Sequence, residues 1–384
     1  MTEKAKDLRL GRTNAHIFHR EHRDEILEAI RPVFEEEYWN SWRIEERFER
    51  EFAETMGYPY ASGVQSGSAG LRLCLEALGL TPGDEVITVA NSDIATTAAI
   101  SQCGGKIVFC DIDQRDFCIN VDLIESRITE KTRGIIAVDM YGLLADGMAI
   151  REIADRHGLF YIDDATLSLG GIDNGKSVGS FADAAVFSTC PYKPFESIAG
   201  GGIVITANQE LHDRIELLKG FGQKMNKDGT LPVRYDHIVE GYNLKMTPVE
   251  AAVLLVKLPY LKEWSLRRHQ IGLEYIRRFS SCKSITLPEI RKGSVPIFRM
   301  FPMLAENRDG LYDVLRKAGI HASLHYIPPV HKQTVYRNAN LSGSDMLPVT
   351  EQISEKILCL PSDPLMREED IDYICDVVIN FIEG

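Results

Sequence analysis

Lys193 is the residue of this 384-residue chain whose setting most suggests chemistry, because it lies between two short apolar runs. Those runs, 184–188 and 202–206, are rich in Val, Ile and Phe and read as buried strands. What joins them is a loop at strand ends, where reactive groups collect on a rigid scaffold. A lysine delivered into a cleft there is desolvated, which lowers its pKa and frees the amine to attack a carbonyl. Gly200, Gly201 and Gly202 let backbone approach backbone or ligand closely. Taken alone, the segment reads as a surface lysine beside a glycine turn.

Two further motifs precede it. Ser66-Gly67-Ser68-Ala69 sits where a strand turns into a helix, so the first helical N–H groups and the positive end of the helix dipole face a site suited to phosphate. The Ser68 hydroxyl adds a donor. By itself this is equally a capped helix with no ligand. Asp163-Asp164 closes a strand at 159–162, and acids at the carboxyl ends of parallel strands point into the crevice where such sheets bind ligands. Successive side chains alternate, so one acid faces the cleft while the other meets solvent or a helix terminus. In chain order these are a phosphate cradle, a strand-end carboxylate and a strand-end lysine. A pyridoxal phosphate enzyme requires that set: the carboxylate keeps the pyridine nitrogen protonated, and the lysine forms the Schiff base and then moves protons.

The elements that would position them alternate regularly from residue 60. The spacing predicts helices over 69–77, 94–102, 120–127 and 149–157, and strands over 85–89, 106–111, 133–138 and 159–162. Apolar runs without alternation mark strands buried on both faces. With helices between them they give an α/β fold, a mostly parallel sheet flanked by helices. Before it, 23–56 carries helical periodicity through Ile26, Leu27, Ile30, Val33 and Phe34, then Phe48, Phe52 and Met56, interrupted at 38–42. After Tyr242 one long helix over 247–279 leads to a strand near 297–303 and helices over 310–317 and 368–381, which suits a smaller α+β C-terminal domain. The expected division is residues 1–245 and 246–384. Polar loops are expected at 224–230 and 338–344.

Composition narrows the partners. Lys plus Arg number 43 against 56 Asp plus Glu, a net charge of −13, so no basic surface is available to grip nucleic acid. Residues 1–16 carry no apolar run with a cleavage site, and no later run approaches a membrane span, so a soluble, cytoplasmic protein is expected. The eight cysteines lack Cys-x-x-Cys spacing and read as buried thiols in a reducing compartment, with neither disulfides nor a metal site.

Along nearly its whole length the chain resembles the DegT/DnrJ/EryC1/StrS aminotransferases, fold type I pyridoxal phosphate enzymes that typically aminate keto groups on nucleotide-linked sugars and aminocyclitols. The likeness runs through Ser66-Gly67-Ser68-Ala69, Tyr141-Gly142 with Ala145-Asp146, Asp163-Asp164-Ala165, Phe187-Ser188 with Lys193 and Gly200-Gly201, Gly241-Tyr242-Asn243, His325-Tyr326 and Leu360-Pro361. By position the resemblance implies Lys193 as the Schiff-base lysine and Asp164 on the pyridine nitrogen. It implies Gly67, Ser68, Ala69 and Ser188 around the phosphate, and Asn243 reaching the phosphate of the neighbouring subunit, so that a homodimer shares its active sites.

Four positions depart from the family pattern. Asp93 stands where an aromatic residue usually stacks on the cofactor ring, Leu167 where Gln or His is common, Ala199 where a glutamate precedes the glycine pair, and Cys190-Pro191 where a histidine precedes the lysine loop. Asp93 is therefore counted among the cofactor-contacting positions. The leading expectation is transfer of an amino group, from glutamate, to a keto sugar or keto cyclitol. The alternatives are a lyase, dehydratase or oxidase on the same scaffold, and a non-catalytic relative. His325, Tyr326 and His331 fall near the site by the family's loop pattern, or serve structure alone.

Overall fold

Strands in this protein end where small or polar residues interrupt runs of Val, Ile and Phe. In the computed structural model, which describes residues 10–11, 14–35, 42–223, 236–339 and 341–384, they are β1 (Tyr60–Val64), β2 (Glu85–Thr88), β3 (Lys106–Phe109), β4 (Thr132–Val138) and β5 (Phe160–Asp164), the two-residue β6 (Ile172–Asp173) and β7 (Lys176–Ser177), then β8 (Ala184–Ser188) and β9 (Gly202–Thr206). The main sheet has the order β1-β9-β8-β5-β4-β2-β3. Neighbours from β3 to β8 are parallel, while β9 runs antiparallel to both β8 and β1. The carboxyl ends of β1, β2, β4, β5 and β8 therefore share one edge, where the loop carrying Lys193 leaves β8.

Alternation along β8 builds two layers. Ala184 and Val186 enter a core with Leu71, Ile162 and Val204, while Ala185 and Phe187 face Phe48, Phe52, Ile203 and Ala251. Burying each such large side chain contributes roughly 1.5–3 kcal/mol. Helices Gly67–Ala77 and Gln209–Lys219 serve the first layer, Trp42–Met56 and Pro248–Lys257 the second.

A second sheet joins β10 (Ile285–Thr286), β12 (Phe301–Ala305) and β13 (Ile357–Leu360). The short β11 (Ser294–Val295) instead pairs with β6, and one core cluster runs from Ile87 and Ile135 through Ile271 to Val378, so the two sheets share packing.

Several expectations need correction. The single helix over 247–279 is two, Pro248–Lys257 and Leu261–Phe279, with a short 3₁₀ turn between them; Pro259 has no N–H to continue the ladder. In the N-terminal stripe, Ile26, Phe48, Phe52 and Met56 are buried, but Leu27 and Phe34 are exposed. Periodicity marks a helical face without showing that anything covers it. Strand β5 runs through both acids, and Asp163 meets neither cleft nor solvent: both acids are buried, and Asp163 Oδ1 lies in the interior without a hydrogen-bond partner. Cys103, Cys190 and Cys282 are only half-buried, although all eight thiols are free. The interruption at 38–41 and the loop at 224–230 lie outside the described residues, as does residue 340 of the third loop. Among the described residues no helix is long and apolar enough to cross a membrane.

Candidate active site

The turn after β1 is built around absent side chains. Ser66, extended at φ −166°, caps helix Gly67–Ala77 by accepting from Ala69 N at 3.1 Å. Gly67 and Ser68 head the helix, where backbone N–H groups lack intrahelical acceptors, and the Ser68 side chain is exposed. A Cβ on Gly67 would lie 3.0 Å from Ser188 Cβ and 3.3 Å from Thr166 Cγ2, so three chain segments line one small space. Gly202 closes it from below: a Cβ there would sit 2.6 Å from Ser66 C and 2.7 Å from Gly67 N. The first of the three loop glycines to enter β9 is thus required by the approach of β9 to the turn.

Asp164 ends β5 facing this edge. Thr96 donates its hydroxyl to Oδ2 at 2.7 Å, and the Thr166 N–H reaches Oδ1 at 3.4 Å. Burial raises its pKa above the ordinary carboxylate value, against the Thr96 and Thr166 hydrogen bonds and the Lys193 charge. A buried carboxylate of this kind is well suited to a cationic partner.

Lys193 is half-buried, and its pKa is lowered by burial against the pull of Asp164; Arg299 lowers it further, while Asp93 and Cys190 oppose. Its loop is tightly held. Thr189 N bonds Gly201 O at 3.0 Å, Ser197 N bonds Thr189 O at 2.7 Å, and the buried Lys257 ammonium donates to Glu196 O at 2.7 Å.

Asp93 caps helix Ile94–Gln102, accepting from Ala95 N at 3.0 Å, and is exposed. The cap gives its carboxylate a partner without a cofactor. Asn243 is exposed; its backbone bridges Gly220, while the adjacent Leu244 O accepts from Gln65 N at 2.8 Å, beside the phosphate turn. Leu167 is buried in the core. His331 is buried against Glu351 at 3.1 Å and meets Phe109 edge-on. His325 O accepts from Tyr141 OH at 2.6 Å, a tie between these two sequence motifs.

Sequence reasoning missed Thr96, Thr166, Arg299 and Glu250. The first two carry a signal, hydroxyls one turn into a helix and two residues after the strand-end acid. Glu250 closes a capping box with Thr247 and stands 3.2 Å from where a Gly200 side chain would begin, bringing a carboxylate close to the glycine pair that Ala199 precedes. Among the described residues no cluster of His, Cys, Asp and Glu could hold a metal ion.

The chain is 34% identical over 337 residues to the pleiotropic regulatory protein of Geobacillus stearothermophilus, covering 87% of this chain and 88% of the relative. It is 33% identical over 339 residues to the dTDP-3-amino-3,4,6-trideoxy-alpha-D-glucose transaminase of Streptomyces venezuelae, covering 88% and 87%. The crystal structure of S. venezuelae DesV in complex with a ketimine intermediate superposes with a TM-score of 0.90 at 31% identity, over 98% of this chain and 99% of that one. A model of the DegT/DnrJ/EryC1/StrS aminotransferase family matches residues 20–379, and the chain belongs to that family.

Proposed function

We propose that the protein is a pyridoxal phosphate-dependent aminotransferase that moves an amino group, with glutamate as donor, onto a keto sugar, nucleotide-linked, or a keto cyclitol. The observation that carries this reading is the meeting at one sheet edge of the Gly67 turn, Ser188, Asp164 and Lys193. The space that a Gly67 side chain would fill, lined by Ser188 and Thr166 and headed by helix N–H groups, fits a phosphate. Family membership supports the cofactor.

Pyridoxal phosphate, when bound, supplies a reactive carbonyl and an electron-withdrawing ring. In this reading Gly67, Ser68, Ala69 and Ser188 hold its phosphate. Asp164, oriented by Thr96, keeps the ring nitrogen protonated. The Lys193 amine, whose pKa burial lowers, would bond the cofactor's carbonyl carbon and, when free, would take and return a proton at the substrate carbon. Asp93, at a cofactor-facing position, is hydrogen-bonded away from the ring in its helix cap or contacts the substrate. Asn243 serves the phosphate of the neighbouring subunit in a homodimer. The same reading divides the chain at residues 245 and 246 and puts it in the cytoplasm.

Incubation with glutamate and a panel of nucleotide-linked keto sugars tests the reaction: 2-oxoglutarate should form in step with an amino sugar. The acid at position 93 and the leucine at 167 favour one second reading, a lyase, dehydratase or oxidase. Loss of water or of amine from the sugar, without 2-oxoglutarate, would support it instead. For the shared site, mixing inactive Lys193→Ala and Asn243→Ala subunits should restore part of the activity, since one site of a mixed dimer receives both native residues. No recovery after proven subunit exchange contradicts the sharing.

A further inference from the structure

Arg299 lies more than a hundred residues from Lys193, yet its guanidinium is folded against the lysine loop. The residue is 4% exposed, and its Nε donates to the backbone carbonyl of Tyr192, the residue before the lysine. Tyr192 is itself in the left-handed region at φ 73°, and its N–H donates to the Glu196 carboxylate. A non-glycine residue stays in that region only when its neighbours hold it there. Arg299 and Glu196 grip the two sides of one peptide group pair, and Lys193 follows directly.

The segment that delivers Arg299 is anchored at the end of β4. Ile297 N bonds Gly142 O at 3.0 Å and Met300 N approaches Tyr141 O at 3.4 Å. Gly142, at φ 87°, permits the contact, because a Cβ there would lie 2.6 Å from Arg299 N. Tyr141 and Gly142, singled out in the sequence without a role, thus form the footing from which this arginine reaches the lysine loop.

We propose that Arg299 is a positioning residue for Lys193: it fixes the Tyr192 carbonyl, and with it the lysine, and brings a permanent positive charge to the lysine loop. This rests on the reading of Lys193 as the cofactor lysine. The charged and titratable groups acting on that amine are Asp164 at the end of β5, Asp93 at the head of helix Ile94–Gln102, Cys190 on the loop itself and Arg299 on the segment before β12. Asp164, Asp93 and Cys190 favour the charged amine, and Arg299, together with burial, opposes them.

Acetic anhydride labelling of the full chain across pH, read as the acetylated fraction of the Lys193 peptide, reports loss of the amine proton whether or not the cofactor reading holds. Reductive trapping of pyridoxal phosphate on the same peptide reports the cofactor reading separately. In Arg299→Met the labelling midpoint should rise by about one pH unit, the scale on which a nearby like charge moves a titration. Arg299→Lys keeps the charge but not the planar fork, so its midpoint should match the native protein while trapping slows several-fold. A folded Arg299→Met with a native midpoint and a native trapping rate overturns the proposal. If that variant fails to fold, Arg299→Lys decides: slower trapping at an unshifted midpoint supports the positioning role, and a native rate overturns it.

Discussion

Lys193 is half-buried and Lys219 buried, and the protein treats their charges in opposite ways. Lys219 is 4% exposed and meets Glu49 at 2.7 Å, Glu216 at 2.8 Å, Glu45 at 3.2 Å and the Gly63 carbonyl at 3.1 Å. Burial alone would lower its pKa, but Glu216, Glu49 and Glu45 outweigh burial and hold it well above the ordinary lysine value. At Lys193 the pull of Asp164, Asp93 and Cys190 does not offset burial and the Arg299 charge, and its pKa is lowered. Lys219 is surrounded by carboxylates that keep it charged, while the proposed cofactor lysine is not. Burial lowers both pKa values; it sets the direction at Lys193, and at Lys219 the three carboxylates reverse it.

Exchanging the two lysines for apolar residues should separate rate from stability. Lys193→Ala should lower turnover at least about 10³-fold, because it removes both the attacking amine and the proton carrier. The cofactor-free variant should be no less stable than the native protein at pH 7. The sign follows from linkage: the folded lysine titrates below 10.5, so the unfolded chain binds more protons and the native protein gains stability as pH rises through that window. Removing the lysine removes that slope. Marked destabilisation, measured by urea unfolding, would break the contrast.

Lys219→Met should instead destabilise by about 3–5 kcal/mol, the scale for stranding buried carboxylates. Burial already pushes Glu49 up from 4.5 to about 8. Without the lysine, whose charge and hydrogen bond lower Glu49, the folded state holds protons more tightly still, so stability should fall as pH rises from 4.5 through and beyond 8. A pH-independent loss would contradict the cluster's role as a charge-neutralising unit.

The smallest effects belong to Asp93. Asp93→Phe should bind pyridoxal phosphate at least as tightly, gaining stacking on the order of 1 kcal/mol. It should turn over its own substrate more slowly and lose about 1 kcal/mol of stability with the helix cap. Asp93→Asn retains the cap, so it isolates the charge: stability should hold while turnover falls. Full turnover in both variants would reduce Asp93 to a capping residue.

Lys193 was legible as a candidate because its setting is local. Strands β8 and β9 announce themselves as apolar runs, and the glycines between them stand in sequence beside Lys193. The Lys219 cluster was not legible, because Glu45 and Glu49 come from a helix some 170 positions away, and only the packing of Trp42–Met56 on β1 makes them neighbours. The same holds for Thr96 on Asp164 and for Arg299 on Tyr192. Asp163 shows a different limit: alternation predicts that it turns from the cleft, but whether the other side is solvent or interior depends on helix Gly147–His157 and the β6–β7 ribbon. The break at Pro259 was written in the sequence and is a matter of weighing one proline against a long apolar stripe.

The central claim is that Lys193, rather than the buried Lys219 or Lys257, is the one left to react. Trapping pyridoxal phosphate on the full chain with borohydride, followed by peptide mass analysis, tests it directly. The account predicts the reduced adduct on the peptide containing Lys193, with Lys219 and Lys257 unmodified. An adduct on either of those lysines in place of Lys193, or none at saturating cofactor, would contradict it.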